Sequence, residues 1–297
     1  MEFKENVNLA GYTSLKIGGP AKYLAEAKTR DEILEARNWA EEKKVEWKMI
    51  AGGSNLLVSD EGYPGLIIVN RTGGGGIMLN DLVDKMNDKG LAGMECLAGI
   101  PGTVGGAVYG NAGAYGQTIS DHLMGVTTLT GYWPKEKCGF GYRESVFKKN
   151  REIILEVEFD LPKGDRETLV AKSNEILELR KKKYPPEMKC PGSFFMNLWF
   201  EKLPEEVKKQ IPAEKVKGGK VAAGYLLERA GACGQSLGGA RVTDYHGNLI
   251  YNAGRATAQE VWQLARRLRD GVWRKYGVIL EPEVQFIGLG QFGPPTF

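Results

Sequence analysis

The capacity of this chain for chemistry lies in two glycine-dense segments and a few charged side chains. Residues 93–116 hold eight glycines in 24 positions, with Thr103 and Asn111 near the middle. Glycine lets a second backbone or a ligand come close. Consecutive N–H groups of such a loop can face phosphate or the heteroatoms of a flat cofactor. A flexible linker of this glycine content would be polar, whereas Ile100, Val104, Val108 and Tyr115 call for burial. Gly52-Gly53-Ser54-Asn55 is a second, shorter set of donors. It suits a pyrophosphate, and reads equally as a turn capped by Ser54 or Asn55. Neither segment has the G-x-G-x-x-G spacing of the dinucleotide fingerprint or the closing Gly-Lys-Ser/Thr of a P-loop.

Further candidates lie downstream. The planar fork of Arg143 matches a carboxylate, with neighbouring Glu144 as the alternative partner. Ser193 follows Gly192 and precedes Phe194-Phe195, a setting that permits a tight turn and a dry pocket; a turn or cap role is the other reading. Glu281 and Glu283 alternate with Leu280, Pro282, Val284 and Phe286, so a closing strand is expected with both carboxylates on one face. Periodicity does not choose between them. Lys215, Lys217 and Lys220 surround Gly218-Gly219, and Arg180 to Lys183 crowd a helix end, where cations also complement the dipole. The two histidines, His122 and His246, lie outside both glycine segments, so no covalent histidyl-flavin link is expected. Cys96, Cys138, Cys190 and Cys233 form no C-x-x-C pair, which argues against zinc and for free thiols in a reducing compartment. No metal site is expected.

The elements that must position these residues are legible. Thr29-Arg-Asp-Glu32 opens a helix running toward Lys43, and Val45–Ile50 and Leu66–Asn70 read as strands. Leu82–Lys89 reads as a helix, and Val126–Leu129 and Ile153–Phe159 as strands. A helix over Arg166–Lys183 stops at Tyr184-Pro185-Pro186 and bridges into a separate C-terminal part. The last long helix starts at the capping box Thr257–Glu260, carries the stripe Val261, Leu264, Ala265, Leu268 and Val272, and ends at Gly277. The length of 297 residues allows two or three domains. The net charge of +3, from 40 basic and 37 acidic residues, does not point to nucleic acid and is compatible with a small anionic substrate. No secretory leader or apolar span is visible, so a cytoplasmic protein with no membrane partner is expected.

Gly99-Ile-Pro-Gly-Thr-Val-Gly-Gly-Ala107 followed by Asn111-Ala-Gly-Ala-Tyr-Gly116 resembles the flavin-binding stretch of the UDP-N-acetylenolpyruvoylglucosamine reductase (MurB) family. Lys16-Ile-Gly-Gly-Pro-Ala21, Gly52–Leu57, Gly141-Tyr-Arg-Glu-Ser-Val-Phe147, Gly192-Ser-Phe-Phe195 and Gly277–Val284 resemble further motifs of that family, in order along nearly the whole chain.

The resemblance implies an α+β fold: a two-part FAD-binding domain of the PCMH/vanillyl-alcohol-oxidase type plus a C-terminal α+β substrate domain. Residues 1–71 and 72–164 would be the two FAD-binding subdomains, and 165–297 the bridging helix and substrate domain. It implies NADPH-dependent reduction of UDP-N-acetylglucosamine enolpyruvate through FAD, in peptidoglycan precursor synthesis, by a single chain of the shorter class lacking an extra substrate loop. The alternatives are another FAD oxidoreductase on this scaffold and a non-catalytic flavin- or nucleotide-binding relative. By resemblance, FAD would contact Gly52, Gly53, Ser54, Asn55, Leu56, Gly102, Thr103, Gly105, Gly106, Ala107, Asn111, Gly113, Ala114 and Tyr115. Arg143, Ser193 and Glu283 would be catalytic, with Ser193 the acid, and Tyr142, Asn197 and Lys217 would bind the UDP-sugar. Only the resemblance selects Glu283 over Glu281. Three places depart from the family. Arg71–Ile77 and Thr130–Trp133 look short, and Met196 stands where the family commonly has lysine.

Overall fold

Thr29 starts the first long helix, Arg30–Glu42, by accepting the Glu32 N–H at 3.2 Å. The Glu32 carboxylate reaches back past Thr29 to accept the Lys28 N–H at 2.5 Å. Ile33, Ala36 and Ala40 fall on one face and pack against Ala25, Ala27, Leu66 and Ile68. The helix closes through Lys44, which adopts φ +54 while the Val45 N–H bonds the Ala40 carbonyl. Val45 is thus consumed by the helix end, and the strand after it begins at Trp47 instead.

The computed structural model describes residues 1–293, and the chain passes back and forth between two units. One holds residues 1–7, 21–53 and 64–186; the other holds 8–20, 54–63 and the chain from 187 onward. The helix Arg166–Lys183 belongs with the first unit.

A four-stranded sheet of the first unit has the order Lys4–Asn8, Pro20–Ala27, Tyr63–Asn70, Trp47–Ile50, the last two strands parallel. Leu66, Ile67, Ile68 and Val69 are fully buried, as a strand covered on both faces requires, which is why it reads as an unbroken apolar run. A second, antiparallel sheet has the order Ile154–Phe159, Leu123–Thr128, Tyr132–Pro134. The short segment at Thr130 closes this hairpin tightly, with the Thr128 N–H bonded to the Gly131 carbonyl at 2.9 Å. The short crossing at Arg71–Ile77 is equally built in. A Cβ on Gly74 or Gly75 would overlap the carbonyl oxygens of Leu155 or Ile154. The Gly75 carbonyl accepts the Gly105 N–H at 2.8 Å, and the Ile77 carbonyl accepts the Val104 N–H at 3.0 Å. Helix Leu79–Asp88, which starts before the expected Leu82, packs Leu79, Leu82 and Val83 with Val104, Val108, Leu123, Val126 and Ile176.

The second unit is built on helix Ala258–Tyr276. Val261, Leu264, Ala265, Leu268 and Val272 lie in one core with Leu15, Ile17, Leu57, Leu226, Leu227, Val242 and Ile250. The expected capping box is present, and Gly277 ends the helix at φ +66. Asp60, far away in sequence, supplies a further cap: its carboxylate accepts the Ala258 N–H at 2.8 Å and the Gln259 N–H at 3.1 Å. The closing strand is shorter than the alternation suggested. Only Gln285–Ile287 is a strand, parallel to Leu56–Val58. Residues 280–284 are not a strand; an isolated bridge pairs Pro282 with Phe195.

Asp60 joins two otherwise unpaired helix-end donors to a negative charge at the positive end of the dipole. Asp60→Ala should therefore destabilise the second unit by about 1–2 kcal/mol, comparable to losing an N-cap. Urea titration of the purified variant measures this. A loss below ~0.3 kcal/mol would mean that Thr257 and Glu260 suffice without Asp60.

Candidate functional site

In the first unit the two glycine segments meet. A Cβ on Gly52 would stand 2.7 Å from Gly102 Cα and 3.3 Å from the Thr103 nitrogen, so these backbones approach as only glycine allows. Gly53 and Gly102 adopt φ +63 and +113. Thr103, 1% exposed, starts the short helix Val104–Tyr109 by accepting the Gly106 N–H at 3.2 Å. Gly105 and Ala107 lie within that helix. Gly113–Ala114 pairs with Gln117–Thr118 as a small hairpin whose tip carries Tyr115 at φ +50, half exposed. Burial pushes the Tyr109 phenol up from its ordinary value. His122 packs on Gly93, the first glycine of the run.

The Gly141–Phe147 segment is folded onto this run. Gly141 and Glu144 exchange backbone hydrogen bonds of 3.0 and 3.2 Å, which places Tyr142 and Arg143 at a turn with Arg143 at φ +56. A non-glycine residue held in this region carries backbone strain. The Arg143 guanidinium donates to the Asn111 carbonyl at 3.4 Å and the Gly113 carbonyl at 3.1 Å. The Glu144 carboxylate instead meets Lys149 at 2.9 Å, a hydrogen bond that holds its pKa below the usual value. Ser145 is fully buried and donates to the Tyr109 carbonyl at 2.7 Å.

Whether these residues fit a flavin can be asked of Asn111. Its Nδ2 donates to the Gly141 carbonyl at 2.8 Å, while its Oδ1 is buried and, among the described residues, has no hydrogen-bond partner. A buried unmet acceptor is costly. A flavin dinucleotide offers both imide and hydroxyl donors, and its phosphates need closely approached backbone N–H groups. Gly52, Gly102 and Asn111 supply what such a group requires, so the residues fit. Among the described residues no cluster of three or more side chains forms that could hold a metal, and no helix is long and apolar enough to cross a membrane.

In the second unit, Ser54, Asn55 and Leu56 follow the glycine pair. Asn55 Nδ2 donates to the Glu283 carbonyl at 2.9 Å, and the Asn55 carbonyl accepts the Gln285 N–H at 3.0 Å. The Glu283 N–H bonds the Phe194 carbonyl at 2.8 Å, and the Met196 N–H bonds the Glu281 carbonyl at 2.9 Å. Pro282 falls where no donor is needed, so Glu283 is held in a short ladder. This ladder brings Glu283 beside the residue that follows Ser193. Ser193 and Glu283 are half-buried and Glu281 is exposed, a difference that alternation could not supply. Gly192 turns the chain at φ +85. Asn197 accepts the Ala223 N–H at 3.2 Å, at the start of helix Ala223–Arg229. Lys217 is exposed and pairs across a small sheet with Lys220, whose ammonium lies 4.3 Å from the Trp199 ring.

Sequence reasoning passed over Asp60 and Asn248. It also passed over the steric need for Gly74 and Gly75, although their neighbouring glycines were a visible sign.

The model for the C-terminal domain of UDP-N-acetylenolpyruvoylglucosamine reductase matches residues 184–287. An FAD binding domain model matches residues 71–132. A UDP-N-acetylenolpyruvoylglucosamine reductase from Solibacter usitatus is 42% identical over 94% of this chain and 95% of its own. That of Bacillus subtilis is 36% identical over 95% and 93%. The crystal structure of the Thermus caldophilus reductase aligns with a TM-score of 0.76 at 31% identity, covering 96% of this chain and 98% of that one. With relatives this similar over nearly their whole length, the chain belongs to the UDP-N-acetylenolpyruvoylglucosamine reductase (MurB) family.

Proposed function

We propose that this protein reduces UDP-N-acetylglucosamine enolpyruvate to UDP-N-acetylmuramate with NADPH through bound FAD, in peptidoglycan precursor synthesis. The observation that carries the reading is the ladder joining Phe194 to Glu283, because its backbone bond sets the Ser193 segment beside the half-buried residue Glu283. The flavin is assigned to Gly52, Gly53, Ser54, Asn55, Leu56, Gly102, Thr103, Gly105, Gly106, Ala107, Asn111, Gly113, Ala114 and Tyr115. Tyr142, Asn197 and Lys217 are assigned to the UDP-sugar. The flavin is given to residues 1–164 and the substrate to the chain from 165. The enzyme is taken to work as a single chain in the cytoplasm, a compartment consistent with its four free cysteines.

When bound, FAD supplies the hydride that adds to the terminal carbon of the enolpyruvyl group, after reduction by NADPH. The protein's task is the charge and the proton. Hydride addition places negative charge on the substrate as an enolate conjugated with its carboxylate. Arg143 is assigned to that carboxylate, where a fixed cation stabilises developing charge. The Asn111 and Gly113 carbonyls orient its fork in advance. Ser193 Oγ gives its proton to the carbon that bears the ether oxygen, and that carbon gains its new C–H bond. Serine is a weak acid, so its surroundings must polarise it. Phe194 and Phe195, 0% and 1% exposed, keep its flank dry. Glu283 orients or protonates the enolic species.

Three outcomes test this. Gly52→Ala pushes a methyl into Gly102 and should weaken FAD binding at least ~10-fold, or ~1.4 kcal/mol, with circular dichroism unchanged. Titration of flavin-free protein with FAD reads this, and an unaltered affinity would detach the close approach from the cofactor.

Ser193→Ala should leave reduction of FAD by NADPH within about threefold but slow reoxidation by the enolpyruvyl substrate by at least ~100-fold. Stopped-flow absorbance follows both halves. Equal slowing of both would make Ser193 a structural residue.

Glu283→Gln should slow reoxidation strongly, while Glu281→Gln changes it by less than about tenfold, or ~1.4 kcal/mol of barrier. The reverse ranking would overturn the choice of Glu283.

A further inference from the structure

Asn248 lies outside every residue assigned above, yet its contacts converge on the segment that carries Ser193. It is 2% exposed. Its Oδ1 accepts the Phe195 N–H at 2.8 Å and its Nδ2 donates to the Phe195 carbonyl at 2.8 Å. Its own carbonyl accepts the Phe194 N–H at 2.9 Å. From the other side, the Phe194 carbonyl accepts the Glu283 N–H and the Met196 N–H meets the Glu281 carbonyl. Each backbone polar group from the Phe194 N–H to the Met196 N–H is therefore engaged, three of them by Asn248 and two by the Glu281–Glu283 segment.

A side-chain amide that meets both the N–H and the C=O of one residue acts as a strand neighbour. One bond would leave the residue free to rotate about it; two bonds, one to the peptide group on each side of the Phe195 Cα, restrict that rotation. Phe195 sits two residues from Ser193, and Gly192 at φ +85 gives the chain little resistance to rotation on the other side. The orientation of Ser193 is therefore set from the Phe194–Phe195 side. Asn248 is itself held in a tight turn: the Thr243 hydroxyl donates to the His246 carbonyl at 2.9 Å and accepts the His246 N–H at 3.1 Å. Glu228 accepts the Gly247 N–H at 3.3 Å, tying the turn to helix Ala223–Arg229.

We infer that Asn248 is a positioning residue for proton transfer: its amide clamps the Phe195 peptide and so aims the Ser193 hydroxyl at the substrate carbon. This rests on the assignment of Ser193 as the proton donor. Displacing a reacting group by ~1 Å can cost on the order of 100-fold in rate, so a lost clamp should show in the proton-transfer half and not elsewhere.

The test is a double-mutant cycle on the FAD-loaded enzyme with Asn248→Ala, Ser193→Ala and the pair. Asn248→Ala should slow reoxidation by substrate at least ~20-fold while reduction by NADPH stays within about threefold. Calorimetric affinity for the product UDP-N-acetylmuramate should also stay within about threefold, since Asn248 is not placed at the ligand. In the Ser193→Ala background, adding Asn248→Ala should slow reoxidation by less than about threefold more, because a clamp has nothing left to aim. Asn248→Asp keeps the acceptor for the Phe195 N–H and turns the donor into a carboxylate oxygen facing the Phe195 carbonyl, so it breaks that half of the clamp; it replaces the alanine in the cycle if the latter does not fold. Multiplying effects in the pair, or equal slowing of both half-reactions, would reduce Asn248 to a fold-stabilising residue and overturn the proposal. Unimpaired reoxidation in Asn248→Ala, beside a slow Ser193→Ala, defeats the clamp alone. Unimpaired Ser193→Ala removes the donor assignment and the clamp with it.

Discussion

Backbone packed directly on backbone is the constraint on which the first unit depends. Gly52 sits against Gly102, Gly74 and Gly75 lie on the Ile154–Leu155 strand, and Gly105 bonds back to Gly75. Each contact excludes a Cβ. Together they hold the Gly52 turn, the short crossing at Arg71–Ile77 and the start of helix Val104–Tyr109 at mutual van der Waals distance. Glycine is costly in chain entropy and contributes nothing to a core. The cost is offset by surrounding layers that are densely apolar, from Leu66–Val69 to Leu79, Val104 and Val126. The result is a set of closely packed, largely buried peptide groups, with Asn111 Oδ1 as a buried acceptor that has no hydrogen-bond partner among the described residues.

The second unit reaches rigidity by a different route. Its reactive segment is irregular, and side chains do the work of missing strands. Asn248 stands in for a neighbour strand on one edge of Phe194–Phe195, and the Glu281–Glu283 segment, interrupted by Pro282, supplies the other. Asn55 in turn fixes the Glu283 carbonyl. Asp60 does the same for the first turn of helix Ala258–Tyr276. Buried polar groups with their bonds met are rigid and specific, and the Phe194–Phe195 segment is held in that way.

The turn that carries Arg143 is one of the strained places of the first unit, with Arg143 at φ +56 and Asn111 and Tyr115 also left-handed. Its left-handed backbone is sustained by the reciprocal Gly141–Glu144 bonds and by Lys148, which donates to its carbonyl at 2.6 Å. The guanidinium is oriented by two carbonyls, so two of its five donors are used for placement. Lys149 draws Glu144 away from the guanidinium, and the simplest competitor for Arg143 is thereby occupied.

The sequence by itself determined whatever is written in neighbours. The caps at Thr29 and Thr257, the stop at Gly277 and the stripe from Val261 to Val272 depend on residues within a turn or two of one another. The order of the glycine motifs, Arg143 and the Gly192–Phe195 segment was likewise enough to reach the family. Tertiary structure alone decided the rest. It turned Val45 from a strand residue into part of a helix closure, shortened the last strand to Gln285–Ile287, and separated half-buried Glu283 from exposed Glu281. It also revealed Asn248 on Phe195, 53 residues apart, and Asp60 on Ala258, 198 apart. The reason is that a local cap or an apolar stripe imposes a spacing on the chain. A single hydrogen bond across such distances imposes none, since any polar residue that the fold delivers to that place can make it.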